Sequence, residues 1–343
     1  MPAFRPGLDL AQSFYEHEVR SRLAGTVHSA GLIGPGSEVL GYDDIRSTDH
    51  SWGPRLQVFV DRRDVDAAKR ALEGLPSEHL GWPTVIGSDA ILFQKHVDVW
   101  TLGDWLTERR GIDTREGLSN LDWLAVPQQL VLETTSGRVF HDGLGQLESI
   151  RASLAWYPDD VWRWLLASQW TRVAQEEAFV GRAAEAGDEL GSRIVAARLV
   201  RDLMRLCFLL ERTYAPYSKW LGSAFSRLDA AGPIGPYLTA VLAADAYPPR
   251  EEALVGAYQE VARRHNRLGI SRPLPPTVRP FHNRPFRVIG ADRFAEACLD
   301  AIDDPALQAL PLVGAVDQWV DATDVLSDAS RARRLIDWYG TLK

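Results

Sequence analysis

The feature that most constrains this chain is a change of pattern near its middle. Up to about residue 142, short β-forming runs alternate with helical ones; beyond residue 147 the runs are long and helical. Alternation of the first kind implies strands covered by helices, and the second kind implies helices packed on helices. Within the first part, Arg55-Leu-Gln-Val-Phe-Val60 alternates and is rich in β-formers, so it reads as a strand. Residues 90–93 and 97–102 are further strand candidates. Residues 8–30 read as one amphipathic helix carrying Leu10, Phe14, Val19 and Leu23. Residues 64–75 and 103–110 read as helices, stopped by Gly74 with Pro76 and by Gly111. In the second part, residues 154–184, 187–212, 233–249 and 251–268 have helical character, and residues 287–343 add a last helical piece. Residues 272–285 hold five prolines and read as an extended segment. The expected fold is therefore α+β: an α/β-type domain with a mixed sheet over residues 1–147, then a helical domain over residues 148–343.

Composition narrows the function. A length of 343 residues suits about two domains. Hydrophobic residues at 45% and charged residues at 24% argue for a folded core and against disorder. Lys plus Arg is 38 against 46 for Asp plus Glu, a formal charge of −8, which disfavours a general binder of long nucleic acid. Cys207 and Cys298 cannot form a disulfide framework or a thiolate zinc site by themselves, and two isolated thiols fit a reducing cytoplasm. The eight histidines show no His-Glu-x-x-His spacing, and the chain has no Gly-x-Ser-x-Gly elbow, Walker-type loop or Gly-x-Gly-x-x-Gly. No stretch reaches the roughly 18 apolar residues of a membrane span. The opening residues, with Arg5 and Asp9, lack the apolar core of a secretory signal.

The chemistry-bearing pattern is a helix, then a Gly-Ser turn at Gly36-Ser37, then acids at Asp43, Asp44 and Asp49. A glycine turn lets backbone amides approach a polyphosphate, and a serine hydroxyl can bond a phosphate oxygen. Carboxylates beside it can hold Mg²⁺, which prefers oxygen ligands. The commoner reading of each piece alone is a solvated loop. A second cluster, Tyr214-Ala-Pro-Tyr-Ser-Lys-Trp220, offers the hydroxyls of Tyr217 and Ser218 and the point charge of Lys219. Against this stands a helix end capped by Pro216, with Lys219 in solvent. Arg55 either faces phosphates or simply begins the strand.

Taken together, the arrangement resembles the polymerase-beta-type nucleotidyltransferase superfamily. Gly36-Ser37 matches its turn, Asp49 its first acid, and Asp98 in His96-Val-Asp-Val99 its third acid on a later strand. Ser136-Gly-Arg-Val-Phe-His-Asp142 resembles the segment that closes the same small domain. The whole chain is also similar to an uncharacterised bacterial branch of that superfamily, a domain of unknown function. The resembling segments are Ser47-Thr-Asp-His-Ser-Trp-Gly-Pro-Arg-Leu56, Phe179-Val-Gly-Arg182, Gly187-Asp-Glu-Leu-Gly-Ser192, Tyr214-Ala-Pro-Tyr-Ser-Lys-Trp-Leu-Gly222 and Gly314-Ala-Val-Asp-Gln318. One position departs: Ser51 stands where the second acid of the pair belongs.

The resemblance implies a Mg²⁺-dependent enzyme that moves a nucleoside monophosphate from an NTP to an acceptor hydroxyl and releases pyrophosphate. Gly36, Ser37, Arg55, Tyr217, Ser218 and Lys219 would bind the nucleotide. Asp49 and Asp98 would be catalytic and, with Asp44, would bind the metal. The acidic balance leans toward a small or cationic acceptor rather than RNA. The alternatives are a nucleotide-binding regulatory module without chemistry, given Ser51, and a helical partner-binding protein.

Overall fold

A computed structural model describes residues 2–49, 52–88, 91–334 and 336–341. It has mixed helix and strand content, with a mixed four-stranded sheet near the N-terminus and helices dominating the rest. Contacts divide the chain into two units. The first comprises Met1–Leu118, Gln129–Ala155 and Ser327–Arg333; the second comprises Ser119–Gln128, Trp156–Leu326 and Arg334–Lys343.

In the first unit the strands are β1 (His28–Leu32), β2 (Leu56–Val60), β3 (Val97–Trp100) and β4 (Arg138–Asp142), in the order β3-β2-β1-β4. β1 runs antiparallel to β2 and β4, while β2 and β3 are parallel, in a register that sets Gln57 opposite Asp98. All five residues of β2 are buried. Alternation sends Leu56, Val58 and Val60 into one core with Phe14, Val19, Leu23, Ala68 and Leu72. Phe59 faces the other way, against Trp105, with ring centroids 5.7 Å apart. So β2 is covered on both faces, and each large aliphatic or aromatic side chain there contributes about 1.5–3 kcal/mol of burial.

Three helices cover the sheet. α1 is Gly7–Phe14, α2 is Val65–Ala71 and α3 is Leu102–Arg110. α3 starts where the Thr101 hydroxyl accepts the Asp104 amide at 3.2 Å, and stops at Gly111, whose φ of 70° suits glycine. The single helix expected over residues 8–30 is not formed. After α1 the chain makes a π turn, Tyr15–Val19, and a 3₁₀ turn, Arg20–Leu23; His28–Ala30 are already in β1. Leu10, Phe14, Val19 and Leu23 are nonetheless all buried. Their spacing explains the π turn: the five-residue step from Phe14 to Val19 is one residue too long for an α turn.

The second unit is helical. Its longest helices are Asp159–Glu176, Glu189–Leu210 and Tyr247–Leu268. Residues 154–184 form two helices rather than one, because the chain breaks between Asp159–Glu176 and Phe179–Glu185. The Pro-rich segment ends in a hairpin of Arg279–Phe281 with Arg284–Val288. No helix among the described residues is long and apolar enough to cross a membrane.

Candidate active site

The Gly-Ser turn follows β1 and is held by a clamp. Arg55, just before β2, donates from Nε to Glu38 Oε1 at 2.7 Å and from Nη2 to the Pro35 carbonyl. Glu38 is 2% exposed and Arg55 19%, so the pair is largely out of water. Gly36 has φ of +148°, and a Cβ there would run into Arg55 Nη2 and lie 2.6 Å from Glu38 Oε2. Only glycine fits this backbone against this ion pair. The turn is tied further by Gly34 N donating to the Glu133 carbonyl at 2.7 Å and by Tyr42 N donating to the Ser37 carbonyl at 2.8 Å. Ser37 is half-buried.

Asp98 sits on β3 beside Gln57, on the sheet face shared by Arg55 and Gln57 of the β2 segment and by His96 two residues earlier. Gln57 is engaged, since its Oε1 accepts the Ile33 amide at 3.1 Å. Asp98 accepts no hydrogen bond from a described residue. Surrounding protein raises its carboxyl above the ordinary range, opposed by the charges of Arg109 and Arg55. Asp98 itself is exposed to solvent at the edge strand. His96 is buried, and burial together with Arg55 pushes its ring down to about 4, so it is neutral at pH 7. Asp98 and His96 both line a cavity of about 920 Å³ along the outer side of β3.

The expected site residues fall into three groups. Gly36, Ser37, Arg55 and Asp98 are brought into one neighbourhood: Arg55 grips the turn and its charge acts on Asp98. The loop acids are not drawn in. Asp43 accepts Gly7 N at 2.7 Å and Trp52 Nε1 at 3.1 Å, so it fastens the loop to α1. Asp44 accepts the amides of Arg46 and Ser47 at 2.8 and 3.3 Å and organises its own turn. Asp49 ends the 3₁₀ turn Ile45–Asp49, is exposed, and is not among the charges acting on Asp98. Ser51 and His50 lie outside the described residues. The third group, Tyr217, Ser218 and Lys219, belongs to the second unit. Tyr217 precedes the helix Ser218–Phe225, and the exposed Lys219 lies over the Trp220 ring at 4.8 Å.

Sequence reasoning missed Glu38 and Arg109. Glu38 carried a signal, an acid directly after the Gly-Ser turn with a basic residue opening the next strand. Arg109 carried none, being one of two adjacent arginines at a helix end. Three of the resembling segments prove to be framework in the second unit. Asp317 accepts Gln128 N at 2.9 Å, and Gln318 donates to the Leu165 carbonyl and to Gln169 Oε1 at 2.9 and 3.1 Å. Asp188 caps Glu189–Leu210 through the Gly191 amide at 2.7 Å, and Ser192 donates to the Val180 carbonyl. Tyr214 is buried against Trp156 and Tyr157, with centroids 4.9 and 5.1 Å away.

Among the described residues no group of three or more His, Cys, Asp or Glu side chains could hold a metal ion. Asp98 is the unencumbered carboxylate, and two arginines act on it. Such a set does not form a protein-built cage. It fits an ion that arrives with phosphates and takes one or two carboxylates, as Mg²⁺ commonly does.

No curated protein and no solved structure matches the chain. Over residues 123–221 it is similar to a family described as a domain of unknown function (DUF4037).

Proposed function

We propose that the first unit is a nucleotidyltransferase that moves a nucleoside monophosphate from an NTP to a hydroxyl of a small-molecule acceptor. The observation that carries this reading is Asp98. It is an exposed carboxylate without hydrogen-bond partners among the described residues, raised above its ordinary range, within reach of the charge of the Arg55 that clamps the Gly-Ser turn. A raised carboxyl is a better proton acceptor, which is what a general base needs. Asp98 takes the proton of the acceptor hydroxyl as that oxygen bonds to the α-phosphorus. The bond from the α-phosphorus to the bridging oxygen breaks, and pyrophosphate leaves with the electron pair. Backbone amides at Gly36 and the Ser37 hydroxyl hold the β- and γ-phosphates, while Arg109 offsets their charge. Mg²⁺, if carried in by the triphosphate, would be held by the Asp98 carboxylate and would neutralise charge on the phosphates.

Arg55 is reassigned within this reading. Its guanidinium already serves Glu38 and Pro35, so it shapes the turn and is a positioning residue rather than a phosphate ligand. The phosphate role expected of Tyr217, Ser218 and Lys219 rests on the resemblance alone.

The test is label transfer from NTP carrying ³²P at the α or the γ position, with a panel of hydroxyl-bearing small molecules. Movement of the α label, lost in Asp98→Asn, supports the reading. Movement of the γ label, or transfer by Asp98→Asn near the wild-type rate, sinks it. A second reading, nucleotide binding without chemistry, is favoured by the lack of a three-acid cluster among the described residues. It predicts NTP binding with no transfer of either label.

A further inference from the structure

A second cavity of the first unit, of about 430 Å³, opens at the end of β1 away from the Gly-Ser turn. Two backbone irregularities build it. The π turn Tyr15–Val19 and the 3₁₀ turn Arg20–Leu23 carry Tyr15 and Arg20 to its lining. On β4 the pairing with β1 jumps from Ala30–His141 to Gly31–Val139, so Phe140 is an extra residue that makes a bulge. A bulge re-aims side chains that strict alternation would send to opposite faces. Phe140 and His141, neighbours in sequence, accordingly both meet the Tyr15 ring, at centroid distances of 5.9 and 6.4 Å. Such π turns and bulges concentrate at functional sites, and here the two converge on one cavity.

The lining is rich in donors and cations. Tyr15 and His28 form a buried floor. His28 Nδ1 donates to the Thr26 carbonyl at 2.8 Å, which leaves Nε2 to accept from the Tyr15 hydroxyl at 3.0 Å. The His141 ring lies over His28 at a centroid distance of 4.9 Å. Gly143 makes room for it, since a Cβ there would come within 2.8 Å of His141 Nε2. His141 and Arg20 are exposed, and neither side chain makes a hydrogen bond or ion pair with a described residue. Burial lowers His28 below the ordinary imidazole range, the Thr26 bond opposes it, and the charges of His141 and Arg20 push the same way as burial. Glu16 is the one acid among the lining residues, and it already accepts Gln12 Nε2 at 2.9 Å. Positive groups thus gather around His28 with no free carboxylate to answer them.

We propose that this cavity binds an oxyanion of the phosphate class, held between the Arg20 guanidinium and the His141 ring above the Tyr15–His28 floor, with the Ser21 hydroxyl as a further donor in the lining. A guanidinium matches a phosphate with two parallel charge-assisted hydrogen bonds. The volume admits inorganic phosphate or a small phosphomonoester. The site stands apart from the nucleotidyl-transfer reading. His28 pairs with Val60 and shares its sheet face, whereas Gln57, beside Asp98, is on the other.

The test follows the His141 ring signal of the full chain by NMR, assigned by its loss in His141→Gln. Inorganic phosphate and phenyl phosphate are titrated at constant pH, against sodium chloride at matched ionic strength. At least one phosphate probe shifts the signal saturably, with a Kd of about 1 mM or tighter, and chloride does not. Arg20→Gln weakens that binding about tenfold or more. Arg20 is exposed, so this variant keeps the wild-type melting temperature. Gly36→Ala, beyond the far end of β1, leaves the affinity within about twofold. Tighter binding of inorganic phosphate marks the free ion as the ligand and tighter binding of phenyl phosphate marks a phosphomonoester; either supports the site. No saturation by about 10 mM of either probe, an equal shift with chloride, or a Kd unchanged in Arg20→Gln overturns it. A shift that is lost in Gly36→Ala overturns it too, because the phosphate is then at the Gly-Ser turn.

Discussion

Replacing Glu38 by Gln tests the clamp on which the candidate site depends. The substitution keeps the side-chain shape and removes one charge. Arg55 then keeps its hydrogen bond to the Pro35 carbonyl but loses its ion pair at Glu38, where Nε sits 2.7 Å from Oε1. Breaking a fully buried pair costs about 3–5 kcal/mol. Glu38 is 2% exposed, but Arg55 at 19% keeps some water, which brings the expectation down to about 2 kcal/mol. The readout is amide hydrogen exchange of the peptide over residues 56–60, because β2 begins directly after Arg55. A loss of about 2 kcal/mol speeds exchange there about 30-fold. Replacing both residues, Glu38→Gln with Arg55→Met, recovers part of the loss, since no charge is then left unpaired. Exchange within about twofold of wild type in Glu38→Gln, or strictly additive losses in the double variant, would refute the clamp as a structural pair.

Three further outcomes follow from the same contacts. Asp98→Asn stabilises the first unit at neutral pH, because a carboxyl raised in the folded state favours the protonated form. The wild type is therefore relatively more stable below its unfolded carboxyl range and loses that advantage as pH rises through the folded value; melting curves of the two proteins converge in acid. His265 is buried, accepts from Trp170 Nε1 at 3.1 Å, and is pushed down by burial to about 4. Its contribution is complete above about 6.5 and is lost as pH falls toward 4, up to about 3 kcal/mol, so His265→Gln flattens the acid limb of second-unit stability. Gln318→Ala strands the Leu165 carbonyl and Gln169 in the buried interior and costs about 2–3 kcal/mol in urea unfolding, whereas a surface change such as Glu296→Gln costs under about 0.5 kcal/mol.

The parts of the fold that were legible in sequence are those whose local chemistry agrees with their tertiary setting. β2 could be read because five buried residues in a row are almost all β-formers. α3 could be read because Gly111 marks its end. β1 was hidden, since His28-Ser-Ala-Gly-Leu32 has little strand preference and is a strand because β2 and β4 pair with both of its edges. The π turn was written in the five-residue step from Phe14 to Val19, which an average helical period blurs. At the site, the glycine turn and Asp98 could be read because motif spacing survives in sequence. Glu38, His96 and Arg109 could not, because their roles come from contacts across 11 residues or more and from burial that no local pattern encodes. The loop acids misled for the opposite reason: carboxylates beside a glycine turn suggest a metal, while Asp43 and Asp44 are spent on backbone amides and an indole.

The central claim, that the turn around Gly36 receives a triphosphate, is tested most directly by calorimetric titration with each of the four NTPs in Mg²⁺. The measurement is made on the wild type, Gly36→Ala and Ser37→Ala, with circular dichroism confirming that the variants are folded. The account predicts that at least one NTP binds the wild type, and that binding weakens tenfold or more in Gly36→Ala and measurably in Ser37→Ala. No binding of any NTP to the wild type, or binding equally tight in both folded variants, would contradict it.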